Sequence, residues 1–383
     1  MAADAPGPSA MRCATLHGVS ALPRDAWDAC FPGEPEGWSY YRACEAGALP
    51  AMGLGAAAVF DAEGLLAAVP TFRVSYRLDT PFQGRLRRLT EGLPLALRVL
   101  VAGSPYAERC HLALRPGLAP EQRDAALAAL AAELETAAGD GGCLLAAWKD
   151  VGPSDAALLR PLLLARGHAE VTSLPLAVLD LDGVADEDAY LARLSKGTRR
   201  DIRRKLRSRA RFRIEHRTDI ADVADRVAGL YESTKTASEV RYGEMEELPR
   251  GYFPAVAAAL GDRARVVLYW IGEELAGFNL LLLGPDRVTD KFLGMAYPLG
   301  PENDLYAVSW MENLRLALST GCRYLQSGQT AYGEKLRLGS GLIPSALFAR
   351  PRFAPLRPML RAAAPLLAFD RHDPVLRAQR TAA

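Results

Sequence analysis

Asp286-Arg-Val-Thr-Asp290-Lys-Phe-Leu-Gly-Met295, the loop Tyr297-Pro-Leu-Gly-Pro-Glu-Asn303, the run from Asp304 to Ser319, the stop Thr320-Gly321 and Arg323-Tyr-Leu-Gln326 follow one another in the second half of the chain. They read in order as strand, loop, helix and strand. The helix has apolar residues at helical spacing and ends at a glycine. Upstream, Ala264–Ile271, the turn Gly272-Glu273-Glu274 and Leu275–Leu283 form a strand–turn–strand hairpin. Further upstream, Glu187–Arg211 and Ile220–Lys235 carry helical periodicity.

The first half has the same order. Gly55–Phe60 and Leu65–Arg73 make a hairpin, Leu97–Ala102 a strand, and Glu121–Ala138 a helix stopped by Gly139-Asp-Gly-Gly142. Cys143–Trp148 is a strand, Ala156–Ala165 a helix and Ala177–Leu181 a strand. The halves match in the kind of element and not in letters, which is the pattern of an ancient duplication. The alternative is that two α/β domains share this order by chance.

With 383 residues, half of them apolar and 24 % charged, the chain can build two globular cores. No apolar run approaches the ~20 residues needed to cross a bilayer, so no integral membrane segment is expected. The first residues lack a basic start followed by an apolar stretch, so no secretory signal is read and the expected location is cytoplasmic. The six cysteines form no CxxC pair, and the five histidines are scattered. No metal site is expected. Net charge is +1, yet Arg193 to Arg217 holds twelve Lys/Arg against Asp201 and Glu215. That stretch carries +10, leaving −9 for the rest.

Several strings resemble the FemAB-like N-acyltransferases of the GNAT superfamily. Leu191-Ala-Arg-Leu-Ser-Lys-Gly-Thr-Arg-Arg-Asp-Ile-Arg-Arg-Lys-Leu206 resembles their entry helix, and Glu274-Leu-Ala-Gly-Phe-Asn279 their second-strand turn. Tyr306 through Gly321 and Tyr332-Gly-Glu-Lys-Leu-Arg-Leu-Gly339 resemble their late helix and closing loop. The match is good over roughly 180–345 and holds for the first half only in architecture. The resemblance implies an α/β fold of two tandem GNAT-like lobes, each a mixed, mostly antiparallel sheet flanked by helices. The expected domains are 1–183, a degenerate lobe that shapes the acceptor cleft, 184–350, the acyl-donor lobe, and 351–383, a helical tail. Val288–Met295 and Arg323–Gln326 become the two parallel strands that splay apart to admit a pantetheine arm. The helix from Asp304 then points its N-terminus at a phosphate.

The implied reaction is acyl transfer to an amine from acyl-CoA or an acyl-phosphopantetheine donor, in some relatives from aminoacyl-tRNA, with no metal. One departure is visible. The loop Tyr297–Asp304 has one glycine, two prolines and two acids where standard GNATs place a glycine-rich pyrophosphate loop. That leaves room for a carrier-bound donor.

Amine acylation needs a neutral amine, a polarised carbonyl and a protonated leaving thiolate. Strand alternation places Asp290 and Lys291 on opposite faces, and an unpaired buried charge is costly. Asp290 therefore orients or deprotonates the amine, or it forms a structural ion pair with an arginine of the basic run. Tyr332 and Tyr306 are the candidate acids. Lys291, Gln326, Gln329 and Lys335 are candidates for holding the donor, with Arg199 and Arg203 of the basic run. Glu239, Tyr242 and Glu244, in the loop between helices and hairpin, are candidates for binding the amine. The basic run itself suits an acyl carrier protein, a tRNA or an anionic membrane, or it is neutralised by acids elsewhere in the chain. The rival to an enzyme is a non-catalytic module docking such a polyanion through a basic helix over 193–217. The apolar stretch Pro355–Phe369 packs on its parent domain or rests on a membrane.

Overall fold

A computed structural model describes residues 11–47, 49, 52–77, 96–238, 247–371 and 373–382. It divides into two compact units: 1–32, 48–173 and 345–373 form the first, and 33–47, 174–344 and 374–383 the second. The expected boundary at 183/184 thus falls inside the second unit, and the expected tail is shared between both.

In the first unit the strands are β1 (Arg12–Leu16), β2 (Gly53–Asp61), β3 (Gly64–Arg77), β4 (Ala96–Ala102), β5 (Ala113–Leu114), β6 (Leu145–Val151), β7 (Ala169–Thr172) and β15 (Ala346–Pro351). They lie in the order β1-β2-β3-β4-β6-β15-β7, with β5 against β3. Among the described residues only β4 and β6 run parallel. Helices α1 (Arg24–Cys30), α3 (Pro120–Asp140), α4 (Pro153–Ala165) and α12 (Leu356–Leu367) complete it.

In the second unit the strands are β8 (Leu176–Asp180), β9 (Arg213–Arg217), β10 (Ala264–Ile271), β11 (Glu274–Leu283), β12 (Arg287–Met295), β13 (Tyr324–Gly328) and β14 (Gly341–Ile343). Their order is β14-β8-β13-β12-β11-β10-β9. Its helices are α2 (Trp38–Ala46), α5 (Glu187–Arg193), α6 (Lys196–Lys205), α7 (Ala224–Ala237), α8 (Tyr252–Leu260), α9 (Leu299–Glu302), α10 (Leu305–Ser319), α11 (Tyr332–Arg337) and α13 (Pro374–Ala382).

The two sheets repeat one plan, and in each a strand from the other end of the chain is inserted. β8 precedes the second lobe in sequence and lies between β13 and β14. β15 follows that lobe and lies between β6 and β7. Read from the sequence, Ala177–Leu181 looks like the last strand of the first half. Pairing with Tyr324–Gly328 places it in the second.

The basic run is not one helix, contrary to the expectation for 187–211 and 193–217. Ser195 accepts from the Thr198 amide and caps α6, breaking it from α5. A 3-10 turn covers Leu206–Arg211, and Arg213–Arg217 is edge strand β9.

The second core gathers Val267, Tyr269, Leu281, Val288, Leu305, Met311, Leu314 and Leu325 between the sheet and α10. Each fully buried aliphatic or aromatic side chain there contributes roughly 1.5–3 kcal/mol. Two glycines allow the layers to close. A Cβ on Gly277 would lie 2.4 Å from the Leu305 side chain, under α10. One on Gly294 would meet Phe278 at 2.3 Å and the Leu230 backbone of α7 at 3.1 Å, on the opposite face.

In the first unit His168 is fully buried, its Nδ1 3.2 Å from the Leu163 carbonyl and its Nε2 without a partner among the described residues. Nδ1–H donates, so protonation at Nε2 would bury an unsatisfied N–H. Burial lowers its pKa from the usual 6.5 to about 4. The unfolded chain therefore binds the extra proton first, and stability falls as pH drops from 6.5 towards 4. The loss expected over that window is on the order of 2–3 kcal/mol. In thermal denaturation as a function of pH, His168→Leu flattens this slope.

Candidate active site

β12 and β13 share a parallel ladder over three positions only: Arg287 with Tyr324, Val288 with Leu325, and Thr289 with Gln326. Beyond Thr289, β12 runs on to Met295 paired only with β11, and beyond Gln326, β13 runs on paired only with β8. Both strands are irregular where they part. The β11–β12 register skips Lys291, and the β13–β8 register skips Ser327. A bulge adds a residue to one strand, bends it and ends its pairing on the other side. Two facing bulges pull the strands apart.

The bulge also turns two consecutive side chains to one face. Lys291 Nζ is 2.6 Å from Glu36 Oε1, both side chains being buried, and lies over the Tyr40 ring. Phe292 packs against Tyr231, Tyr252 and Phe253 on the same side. Asp290 points to the other face, towards α10. Asn279 Nδ2 donates to its Oδ1 at 2.9 Å, and Asn313 Nδ2 to its Oδ2 at 2.9 Å. The Tyr269 hydroxyl donates to Asn279 Oδ1 at 3.0 Å, so the chain Tyr269–Asn279–Asp290–Asn313 is continuous. Asn279 and Asn313 are fully buried while Asp290 is half-buried. The carboxylate is thus held in one orientation. Asn313 Oδ1 is buried without a hydrogen-bond partner among the described residues.

Tyr306, two turns before Asn313 on α10, has a buried hydroxyl that is likewise without a partner among the described residues. Burial pushes its pKa well above the usual tyrosine value, and the charges of Asp290 and Glu334 add to the effect. It stays protonated. Asp290 and Tyr306 are the sequence-read candidates that the fold brings into electrostatic range of each other.

The remaining candidates are placed elsewhere. Gln326 is buried at the last laddered position of β13. Gln329 Nε2 donates to the Leu174 carbonyl at 3.0 Å, and the Tyr332 hydroxyl to the Pro175 carbonyl at 2.9 Å. Lys335 Nζ is buried and donates to the carbonyls of Gly328 and Gln329 at 3.2 and 2.9 Å. These bonds hold a turn in which Thr330 and Ala331 take left-handed φ of 69° and 49°. Arg203 pairs with Asp188 at 3.3 Å, while Lys196, Arg199, Arg200 and Arg207 have no ion pair among the described residues. Glu239, Tyr242 and Glu244 lie outside the described residues.

The loop before α10 consumes its own donors. The amides of Gly300, Glu302, Asn303 and Asp304 bond the carbonyls of Ala296, Pro298, Gly300 and Pro301, and the two prolines have none to offer. Asp304 Oδ2 accepts from Ser208 at 3.1 Å, and Asn303 Oδ1 from Arg211 at 2.9 Å. The Met295 amide donates to Thr234 Oγ1 at 2.8 Å.

Residues 196–335 match the model of the Acetyltransferase (GNAT) domain, a span that holds both splayed strands and α10. That span is a GNAT-type acyltransferase domain. The chain's tandem fold is shared with the solved structure of FemX, at TM-score 0.53 and 11 % identity, covering 90 % of this chain and 96 % of that one. L-PGS from Bacillus licheniformis aligns at TM-score 0.50 and 11 % identity over 89 % and 98 % of the two chains. A tandem GNAT protein from the clavulanic acid biosynthesis pathway aligns at 0.49 and 12 % over 90 % and 99 %. No curated protein matches in sequence.

The first lobe closes the equivalent gap with its own chain. β4 is laddered to β6 up to its last residue, Ala102, and the Cys110 amide then donates to the Asp150 carbonyl at 2.8 Å. Among the described residues no helix is long and apolar enough to cross a membrane.

Asn279 and Asn313 are functional candidates that sequence reasoning missed. Asn279 shows as an amide inside an apolar run, Leu275-Ala-Gly-Phe-Asn279-Leu, where a buried polar group demands a partner, whereas Asn313 sits between Glu312 and Arg315 and gives no such signal.

Proposed function

We propose that the second unit takes the acyl group of a phosphopantetheine thioester threaded between β12 and β13 and transfers it to an amine held at Asp290. The observation that carries this reading is the three-position ladder between two parallel strands, of which β12 continues six residues further. The edge of β12 facing away from β11 there has no strand partner and offers main-chain groups to the arm's amides.

In the reaction, Asp290 binds the ammonium and accepts its proton, and the neutral nitrogen attacks the thioester carbonyl carbon. The tetrahedral intermediate gives up the second nitrogen proton to solvent and collapses with cleavage of the C–S bond, leaving a neutral amide. The departing thiolate takes the proton of Tyr306, which Asp290 then restores. Tyr332, committed to a main-chain carbonyl, supports the turn that follows β13.

The donor favoured is carrier-bound. A loop with two prolines and four internally bonded amides is a poor cradle for the diphosphate of CoA. Lys196, Arg199, Arg200 and Arg207, which make no ion pair among the described residues, suit the acidic surface of an acyl carrier protein. The first lobe, lacking an open gap of its own, then serves the acceptor.

The test is amine-dependent release of free thiol. Acyl carrier protein and acyl-CoA both support turnover, with the carrier preferred, and Arg199→Ser with Arg200→Ser raises KM for the carrier about tenfold while sparing acyl-CoA. Absence of thiol release with every thioester, across a panel of primary amines, would falsify the reading.

A further inference from the structure

Helix α12 of the first unit is Leu356-Arg-Pro-Met-Leu-Arg-Ala-Ala-Ala-Pro-Leu-Leu367. Apart from Arg357 and Arg361 every residue is apolar. Such a helix is ordinarily buried on all sides, yet this one buries a single face. Leu360, Ala364 and Leu367 pack with Ala169, Val171 and Leu347. On the far side Leu356, Met359 and Leu366 are 44, 64 and 62 % exposed, and Phe353, just before the helix, is 55 % exposed. The exposed Leu144 and Leu164 adjoin the same surface, since their carbonyls accept from the Arg352 amide and the Arg361 guanidinium.

The charge along this stretch is mainly positive. From Arg350 to Arg371 there are five arginines, of which Arg350 pairs with Glu135 at 3.5 Å, and one acid, Asp370. Arg352, Arg357 and Arg361 bond main-chain carbonyls of Gly139, Pro351, His168 and Leu164, and make no ion pair with a carboxylate among the described residues. Their positive charge is therefore not cancelled locally. Twelve residues of helix span about 18 Å, well short of a bilayer core. An exposed apolar stripe beside uncompensated arginines, on a helix too short to span, is the make-up of an element that lies in the plane of an anionic lipid surface.

We propose that this chain docks on anionic lipid bilayers through α12, with Phe353, Leu356, Met359 and Leu366 entering the acyl boundary and the flanking arginines facing the headgroups. The inference is independent of the thioester site, which lies in the second unit.

Co-sedimentation of the full chain with vesicles tests it. Binding is expected to vesicles of phosphatidylcholine mixed with phosphatidylglycerol, to be weak on phosphatidylcholine alone, and to fall as salt rises. The double variant Met359→Glu with Leu366→Glu is expected to bind at least about tenfold more weakly, with unchanged circular dichroism and unchanged thiol release with a soluble amine. Both substituted positions are solvent-exposed, so the fold tolerates them. No binding of the wild-type chain to the mixed vesicles, or equal binding of the variant, overturns the proposal. So does a wild-type dimer in sedimentation velocity that the variant converts to monomer, which would assign the patch to a second copy.

Discussion

Asp290→Asn is expected to lower kcat for amine acylation by about 10²–10⁴-fold with little change in the KM for the thioester. The substitution keeps the shape of the side chain and removes the proton acceptor. It also gives the Asn279 and Asn313 amides, each 2.9 Å from a carboxylate oxygen in the wild type, a partner with only one acceptor oxygen. The thioester arm is assigned to the strand edge rather than to this carboxylate, so its binding is preserved. A rate within a factor of about two of wild type would remove Asp290 from the reaction. Tyr306→Phe and Tyr332→Phe give the matching contrast on the leaving-group side. The first slows transfer and leaves the melting temperature in place, because its hydroxyl bonds nothing described. The second lowers the melting temperature, because it deletes a buried bond to the Pro175 carbonyl.

Lys291→Met should produce the largest loss of stability. It leaves the Glu36 carboxylate, 6 % exposed, without the cation that sits 2.6 Å away. Breaking one side of a buried ion pair costs about 3–5 kcal/mol. In a lobe of this size that is a fall in Tm of about 10 °C. Adding Glu36→Leu is expected to restore most of the loss, since a pair replaced by apolar groups leaves no orphaned charge. The location gives the pair a second consequence. Lys291 is the bulged residue of β12, so the ion pair anchors the irregularity that parts β12 from β13. Activity in Lys291→Met should fall more than folded fraction alone explains. Equal stability of single and double variants would show that the pair does not hold the bulge.

The element order of both lobes was legible in the sequence because it depends on local signals: apolar alternation, glycine stops and turn residues. Asp290 and Tyr306 could be singled out as candidates, the first as a charge in otherwise apolar surroundings and the second as a hydroxyl near the start of a helix. What escaped was set by long-range pairing. Nothing near Leu176–Asp180 announces that it pairs with Tyr324–Gly328, and a period-two pattern is the same whichever sheet it joins. The bulges at Lys291 and Ser327 exist only relative to a partner strand. The helix break at Ser195 was present as a Ser-x-x-Thr cap but was masked by the continuous basic periodicity on either side. Tyr332 looked like an acid and Lys335 like a residue that holds the donor, because polar groups just after a strand often line a ligand site. Here their donors are spent on the carbonyls of Pro175, Gly328 and Gln329.

A crystal structure of the full chain with a non-transferable thioether analogue of an acyl-phosphopantetheine tests the central claim most directly. The predicted result is density for the arm running between Lys291–Leu293 and Ser327–Gly328, its amides bonded to the free edge of β12 and its acyl carbonyl within reach of Asp290 and Tyr306. An arm bound in another part of the molecule, or β12 and β13 zipped together beyond Thr289 and Gln326 in the complex, would contradict the account.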